Sequence, residues 1–193
     1  FMSVGLFTGC LLSIQLAQSV PIGVRMPLSM LLGGVAAAVV GLLVGLPALR
    51  LKGDYLAIVT LACGEIIKTI INNLSVTGGA KGLDTSDIYA DTRTLLPFAI
   101  VLIFLVVLVM MNLKNSRHGR AILSIRENEI AAEAMGINLA KHKRMAFCIS
   151  SFFAGVGGGL FAMFANQAQA KTFTTSMTYE ICLLYTSDAA DEL

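Results

Sequence analysis

The chain has 193 residues, of which 56% are hydrophobic and 13% are charged, and its net charge at pH 7 is +2. Average soluble domains carry about 25% charged residues, so the composition excludes an ordinary soluble enzyme. It also excludes a nucleic-acid-binding protein, because basic residues would then cover one folded face, whereas here they lie between apolar segments. With about 20 residues per membrane span, the sequence predicts an all-α integral membrane protein with about five transmembrane helices.

Five apolar segments separated by polar stretches predict the spans in chain order. The predicted spans cover residues 2–19, 26–49, 55–71, 95–111 and 145–170. The sequence starts inside the first apolar segment, and no basic region of the kind that opens a signal peptide precedes it. We therefore expect either that the beginning of the protein is missing from this sequence or that the sequence starts at an internal Met.

Two of the predicted spans contain glycines four residues apart. Gly41-x-x-x-Gly45 lies in the second span and Gly155-x-x-x-Gly159 in the last. Small residues at this spacing let two helices approach closely in lipid, which predicts tight packing. The alternative is the background frequency of glycine in membrane helices. For the last span, the packing partner is either another helix of this chain or a subunit or pore interface, and the sequence does not distinguish these alternatives.

The third predicted span is less apolar because it carries Thr60, Glu65 and Lys68. A charge at the bilayer centre costs about 2.5–3.5 kcal/mol, so charged residues in spans usually face a protein interior or a water-filled path. Glu65 and Lys68 are three residues apart and can pair on a helix. We identify Glu65 and Thr60 as candidate pathway residues. The alternative is that both charges lie at the outer interface, where Lys68 extends toward water.

No motif in the sequence predicts a bound cofactor or metal ion. The loop 72–94 contains Thr77-Gly78-Gly79, but no Gly-Lys-Ser/Thr phosphate-binding motif occurs anywhere in the chain. His118 and His142 are isolated from each other in the sequence and are interpreted as solvated side chains. Catalytic residues and metal ligands are therefore not predicted.

Residues 112–144, here called the polar segment, hold seven of the 14 Lys and Arg residues. Lys and Arg resist translocation, so a basic loop between two spans is expected on the cytoplasmic side. By alternation, the loop 49–54 is also inside, and the loops 20–26 and 72–94 are outside. The inner loops then hold nine Lys and Arg and the outer loops three, which agrees with this orientation.

The centre of the polar segment, 127–139, is rich in good helix formers and is predicted to be a helix that Gly136 ends. Ile130, Ala134 and Ile137 recur at helical spacing and predict one apolar stripe. A short amphipathic helix between two spans either docks into a groove of a cytoplasmic partner or lies on lipid headgroups, attracted by its basic flanks. The residues alone leave these alternatives open.

Two strings of residues resemble a known family. Ala131-Ala132-x-x-x-Gly136 is similar to the core of the coupling loop of ABC-importer permeases, although the Glu of that loop falls at Ile130 here. Longer strings resemble the LivM-type permease subunits of branched-chain amino-acid ABC importers; these are Gly119-Arg120-Ala121-Ile122, Ile125 to Ile137, and Leu51 to Leu61 followed by Gly64-Glu65-Ile66. Together they extend over about residues 45–164.

The resemblance implies a multi-pass permease of the bacterial or archaeal cytoplasmic (inner) membrane that imports leucine, isoleucine or valine. It implies a second permease subunit, two ABC ATPase subunits that bind ATP and Mg²⁺, and an extracytoplasmic amino-acid-binding protein. This chain would bind no cofactor itself and would not be an enzyme. The implied ATPase contact surface comprises Glu129, Ala131, Ala132, Glu133 and Gly136.

Other functions fit the same composition. One alternative is an ABC permease for another small polar cargo, such as urea, an amide or another amino acid. A second is a membrane protein unrelated to ABC importers. An enzyme would need paired carboxylates or histidine clusters at membrane depth, and Glu65 has no acidic neighbour in the sequence.

The last residues break the membrane pattern. Residues 182–193, from Cys182 to Leu193, resemble a translated transposase sequencing adapter. They are interpreted as an assembly artefact, so that 1–181 is part of a permease domain whose later spans are missing.

Overall fold

Seven helices and one pair of short strands make up the described part of the chain. The computed structural model describes residues 1–16, 22–49, 51, 54–74, 77–79, 82–84, 92–165, 167–168 and 172, so the predicted artefact at 182–193 lies outside them. The helices are α1 (Met2–Leu16), α2 (Ile22–Ala48), α3 (Asp54–Asn73), α4 (Thr92–Asn115), α5 (Arg117–Glu127), α6 (Glu129–Ala134) and α7 (Leu139–Phe164). The strands are β1 (Leu83–Asp84) and β2 (Gln167–Ala168).

The all-α class is confirmed, and a helix lies at each of the five predicted spans. Three of these helices are long and apolar enough to cross a membrane: Gly23–Ala48, Leu95–Asn115 and Leu139–Phe164. Met2–Leu16 is apolar but shorter.

Some predicted boundaries were wrong. The last helix begins at Leu139 and ends at Phe164, because Asn138 caps its start and the helix takes in the basic residues after it. Arg25 was expected in an outer loop, but it lies in the first turn of α2 with its side chain 6% exposed.

The core is a three-helix contact of α1, α2 and α7 in which glycines bring the backbones together. A Cβ on Gly5 would overlap the backbone of Gly155. A Cβ on Gly155 would lie 2.5 Å from the Ala37 Cβ and 2.9 Å from the Gly33 carbonyl oxygen. Close approach of this kind replaces the hydrophobic driving force that helices lack in lipid. The predicted tight packing of Gly155 is therefore confirmed, with partners inside this chain.

The second predicted glycine pair also packs against α7. A Cβ on Gly41 would overlap the Ser151 hydroxyl, and one on Gly45 would lie 3.0 Å from the Phe147 ring. These contacts pair the second half of α2 with the first half of α7, so the two helices are antiparallel. By the same reasoning, the contact of Gly9 with Gly159 makes α1 parallel to α7. The directions agree with the alternating orientation predicted from the sequence.

The two short strands join the loop after α3 to the chain after α7, at the end of the helices that is opposite the polar segment. β1 pairs antiparallel with β2, with Leu83 opposite Ala168 and Asp84 opposite Gln167. The sequence analysis did not predict this pair, because two-residue strands leave no periodic pattern. The pairing places the loop after α3 beside the end of α7, as expected if both lie outside.

Helix α4 is loosely packed. Almost none of its apolar span is buried, and its side chains from Ile100 to Met111 are mostly exposed. It meets α7 across a cavity of 390 Å³ lined by apolar residues, among them Leu95, Ala99 and Leu160. The described chain is thus a close-packed unit of α1, α2 and α7 with α4 lightly attached at one side.

Candidate functional site

The polar segment folds back from α4 through a tight turn at Ser116 and Gly119. The Ser116 hydroxyl donates to the Leu113 carbonyl at 2.6 Å and accepts from the Gly119 amide at 3.1 Å. A Cβ at position 119 would overlap the Leu113 carbonyl oxygen, so glycine is needed for the close approach of the two helices. The turn therefore fixes the start of α5 relative to the end of α4.

Asn128 sets the start of α6. Its backbone is extended, with φ −155° and ψ 111°, and it ends α5 while beginning α6. Its side-chain oxygen accepts from the amides of Ile130 at 3.0 Å and Ala131 at 3.1 Å. The predicted helix therefore begins at Glu129 and not at Glu127, because Asn competes for the backbone as a cap more strongly than it propagates a helix.

Gly136 ends α6, as predicted. Its φ is +80°, a left-handed conformation that glycine adopts without steric cost. The Gly136 amide donates to the Glu133 carbonyl at 2.9 Å and the Ile137 amide to the Ala132 carbonyl at 3.1 Å. This is the Schellman arrangement, which satisfies the last carbonyls of a helix. The chain then turns into α7, whose first turn is capped by the Asn138 side chain on the Lys141 amide at 3.1 Å.

Two contacts hold α6 on the rest of the chain. The Ala132 side chain is 3% exposed and points into the protein. Glu129 forms an ion pair with Lys143 of α7. Helix α6 has only six residues, too few for independent stability, so these contacts and its two caps maintain its position.

Large apolar side chains are exposed at both ends of α6. Ile130, near its start, is 81% exposed, and Met135, its C-cap residue, is 83% exposed. Ala131, Glu133, Ala134 and Gly136 are exposed beside them. Exposed apolar side chains grouped on a fixed surface are typical of interaction sites.

The five residues of the predicted contact surface thus lie on different sides of α6. Ala131, Glu133 and Gly136 are exposed, whereas Ala132 is buried and Glu129 pairs with α7. Sequence reasoning placed Ile130 on an apolar stripe but left it and Met135 out of the contact surface. Their apolar character in a polar segment is the signal that identifies them.

His118 and His142 are close in space, although the sequence separates them. Their ring centroids are 5.8 Å apart, and the His142 Nδ1 donates to the Asn138 carbonyl at 2.9 Å. The prediction that the two histidines are alone was therefore wrong, since the fold of α5 back toward α7 brings the rings together. The prediction of solvated side chains agrees with the structure, in which His118 is exposed and His142 is half-buried. Within the described ranges, no three metal-ligating side chains come together.

A second polar site lies on α3. The Lys68 ammonium is 3.2 Å from a Glu65 carboxylate oxygen, so the predicted pairing is confirmed. The side chains are 23% exposed for Lys68 and 47% for Glu65. Thr60 is half-buried on the same helix, more than one turn before Glu65.

A crevice opens between α5, α7 and the end of α2. Its volume is 440 Å³, and its lining comprises Leu49, Leu51, Ile122, Ile125, Arg126, His142, Lys143, Ala146, Phe147 and Ser150. Most of the lining is apolar, and its basic side chains are Arg126, His142 and Lys143.

Comparison with known proteins identifies similar membrane transport proteins. A family model described as "Branched-chain amino acid transport system / permease component" matches residues 1–184. The chain is 35% identical over 176 residues to the "High-affinity branched-chain amino acid transport system permease protein LivM" of Salmonella typhimurium and to that of Escherichia coli. Each alignment covers 74% of this chain and 41% of the relative.

An archaeal relative is similar. The "Probable branched-chain amino acid transport permease protein LivM" of Methanocaldococcus jannaschii is 34% identical over 154 residues, which cover 76% of this chain and 45% of the relative. The chain thus spans less than half the length of these curated relatives. No solved structure matches it.

The spanning helices and the family match define a multi-pass protein of the cytoplasmic membrane. Within that class, the chain belongs to the family of permease components of branched-chain amino acid transport systems.

Proposed function

We propose that this chain is part of the permease subunit of an ATP-driven importer for leucine, isoleucine and valine. The family match and the names of the relatives support this cargo. The working assembly would contain a second permease subunit, two ABC ATPase subunits that bind ATP and Mg²⁺, and an extracytoplasmic amino-acid-binding protein. This chain would contribute membrane helices and no catalytic residues.

We further propose that α6 is the coupling helix that enters a cleft of an ATPase subunit. The observation that carries this proposal is the difference in exposure between the alanine that faces the protein and the large apolar side chains that do not. Ala132 is 3% exposed, whereas Ile130 is 81% and Met135 is 83% exposed. A fixed helix with an outward apolar face is the helix-in-groove mode of recognition.

The proposed contact surface follows from this orientation. Ile130, Ala131, Glu133, Met135 and Gly136 would meet the ATPase. Ala132 and Glu129 would act indirectly, by holding α6 against the chain. Movement of the ATPases on ATP binding would displace α6, and the caps at Asn128 and Gly136 would transmit this displacement to α5 and α7.

The pair Glu65–Lys68 and the hydroxyl of Thr60 are proposed to face the translocation pathway. The ion pair on a helix with few neighbours supports this proposal, because charges within a membrane usually face protein or water.

Replacing Met135 with glutamine tests the coupling proposal. Full burial of a Met side chain contributes about 1.5–3 kcal/mol, so Met135→Gln is expected to weaken capture of the ATPase subunits by at least about tenfold. Uptake of labelled leucine into proteoliposomes should fall with it. Both are measured with the full-length importer, by co-purification of the ATPases and by transport.

Met111→Gln is the matched control. Met111 is 59% exposed and lies near the end of α4 that leads into α5. Its replacement should change ATPase capture by no more than about twofold. Equal capture and uptake in the two variants would contradict the coupling proposal. Unchanged ATPase capture by the Met135 variant would favour a helix lying on headgroups.

A further inference from the structure

The crevice between α5, α7 and the end of α2 is lined mainly by apolar side chains. Arg126, His142 and Lys143 form its basic part, here called the mouth, and Ser150 is the other polar side chain of the lining. From Lys143 to Ser150, α7 advances by about 10 Å at 1.5 Å per residue. Between these limits the lining is apolar apart from the backbone. A ligand that fills the crevice must therefore have a polar or anionic head and an apolar tail.

The α7 residues of the lining, from His142 to Ser150, lie in the first half of a candidate membrane span, Leu139–Phe164. The remaining basic residue of the mouth, Arg126, lies one residue before the end of α5. The volume of 440 Å³ is within the range of about 300–1,000 Å³ that is common for small-molecule sites.

Helix α5 has the composition of a helix that lies in the membrane interface. Arg117, His118, Arg120 and Arg126 are exposed, and Ile122, Leu123 and Ile125 are half-buried. The first acidic residue is Glu127, the last residue of the helix. A basic polar face beside an apolar face favours anionic lipid surfaces.

The cations at the mouth have carboxylate partners that an anion can replace. Arg126 is 3.2 Å from Glu127, with side chains 71% and 75% exposed. Lys143 pairs with Glu129. Exposed ion pairs contribute about 0–1 kcal/mol, so a phosphate that accepts hydrogen bonds from both cations can compete with the exposed Arg126–Glu127 pair.

We propose that this crevice binds an anionic phospholipid. The phosphodiester would lie at the basic mouth, between Arg126 and Lys143, and one acyl chain would occupy the apolar floor along Ile125 and Ala146. The bound lipid would then connect α5 to α7 on the side of the polar segment that faces the membrane. The exposed residues Ile130 and Met135 take no part in this site, whereas Lys143 also pairs with Glu129 of α6.

Native mass spectrometry of the full-length importer tests the proposal. The probes are phosphatidylglycerol and phosphatidylcholine with identical acyl chains. Phosphatidylglycerol should be retained more tightly by the wild-type protein. Arg126→Gln removes one charge at the mouth, and since a basic residue near an anionic surface contributes a factor of about fivefold, it should weaken phosphatidylglycerol binding by about that factor.

Arg93→Gln is the charge-matched control, because Arg93 is exposed at the other end of α4. It should leave the affinity for phosphatidylglycerol unchanged. Equal effects of the two Arg variants, or equal affinity for the two lipids, would overturn the proposal.

A second pair of variants tests the acyl-chain part of the crevice. Ala146→Phe fills the floor and should lower retention of both lipids, whereas Ala140→Phe, at an exposed position earlier in α7, should not. A photo-crosslinking residue at Ile125 should capture lipid in membranes. Capture of an ATPase or permease subunit at that position would instead show that a protein occupies the crevice, and would overturn the proposal.

Discussion

Gly136 is the residue on which the end of α6 depends most directly. Its φ of +80° lies in the left-handed region, and no other heavy atom lies within 4 Å of a Cβ added there. A substitution at this position is therefore disfavoured by backbone conformation alone, without a steric clash. The Schellman hydrogen bonds that it permits fix the direction in which Ile137 leaves α6.

Replacing Gly136 with alanine should destabilise the fold by about 1–2 kcal/mol, the cost of a left-handed L-residue. The rate of leucine uptake should also fall, by more than the loss of folded protein explains, because the end of α6 would be displaced. Gly64→Ala is the control, since Gly64 also has open space around a Cβ but lies within α3. That variant should gain about 0.5–1 kcal/mol from helix propensity. Thermal unfolding in detergent measures both, and equal midpoints would contradict the assignment of strain to Gly136.

At this scale the sequence predicts whatever depends on local chemistry. Gly136 as a helix stop and the Glu65–Lys68 pair follow from residue type and spacing. The cap at Asn128 was missed, so the start of α6 was placed two residues early, because the surrounding glutamates and alanines favour a helix. The burial of Ala132 was also missed, since which methyl of an Ala-Ala pair turns inward depends on where α7 lies.

Among the elements, α7 has the central position, with α1 and α2 packed on it through glycine contacts. Gly155 contacts both Ala37 and the Gly33 carbonyl, whereas Gly157, two residues further on, has no atom within 4 Å of an added Cβ. The same helix thus presents a crowded face and an open face.

Gly155→Ala should destabilise the chain by about 1–3 kcal/mol, because an extra methyl in a filled contact forces backbones apart. Gly157→Ala should be neutral or slightly stabilising, since it improves helix propensity without a new contact. The free energy of unfolding in detergent distinguishes them. A Gly155 variant as stable as the Gly157 variant would mean that this helix contact is not close-packed.

The elements also show where sequence patterns stop being informative. Glycines four residues apart predicted tight packing of α2 and α7, but not that α1 would share the contact. Periodicity indicates which face of a helix carries small residues. Which helix meets that face depends on the order of packing in three dimensions, which no single segment contains.

In the whole molecule, the Glu65–Lys68 pair lies near the middle of α3, which is not among the three helices found long and apolar enough to cross a membrane. Glu65 is 11 residues after the start of α3 at Asp54, about 16 Å at 1.5 Å per residue, and the hydrocarbon core is about 30 Å thick. Binding sites of transporters commonly lie near the bilayer midplane. A span that began at Asp54 would therefore place the pair at the depth that the pathway proposal requires.

Single and double substitutions separate the two alternatives. Glu65→Gln and Lys68→Gln each leave one charge unpaired within the membrane, at a cost of about 2.5–3.5 kcal/mol, so each should lower the amount of inserted protein. The double variant should restore insertion because no charge remains. If the pair lines the pathway, leucine uptake should stay low in the double variant. Normal uptake per inserted molecule would contradict the pathway proposal.

The clamped turn between α4 and α5 has a mechanical consequence. Ser116 and Gly119 join the two helices rigidly, whereas α4 is hardly held by its neighbours along its length. Helix α4 has 24 residues and is thus about 36 Å long. A rotation of about 10° imposed on α5 would then sweep the distant end of α4 through about 6 Å, by simple geometry on that length. The rigid turn would thus convert a small rotation of α5 at one membrane surface into a displacement of α4 at the other surface that is as wide as an amino-acid side chain.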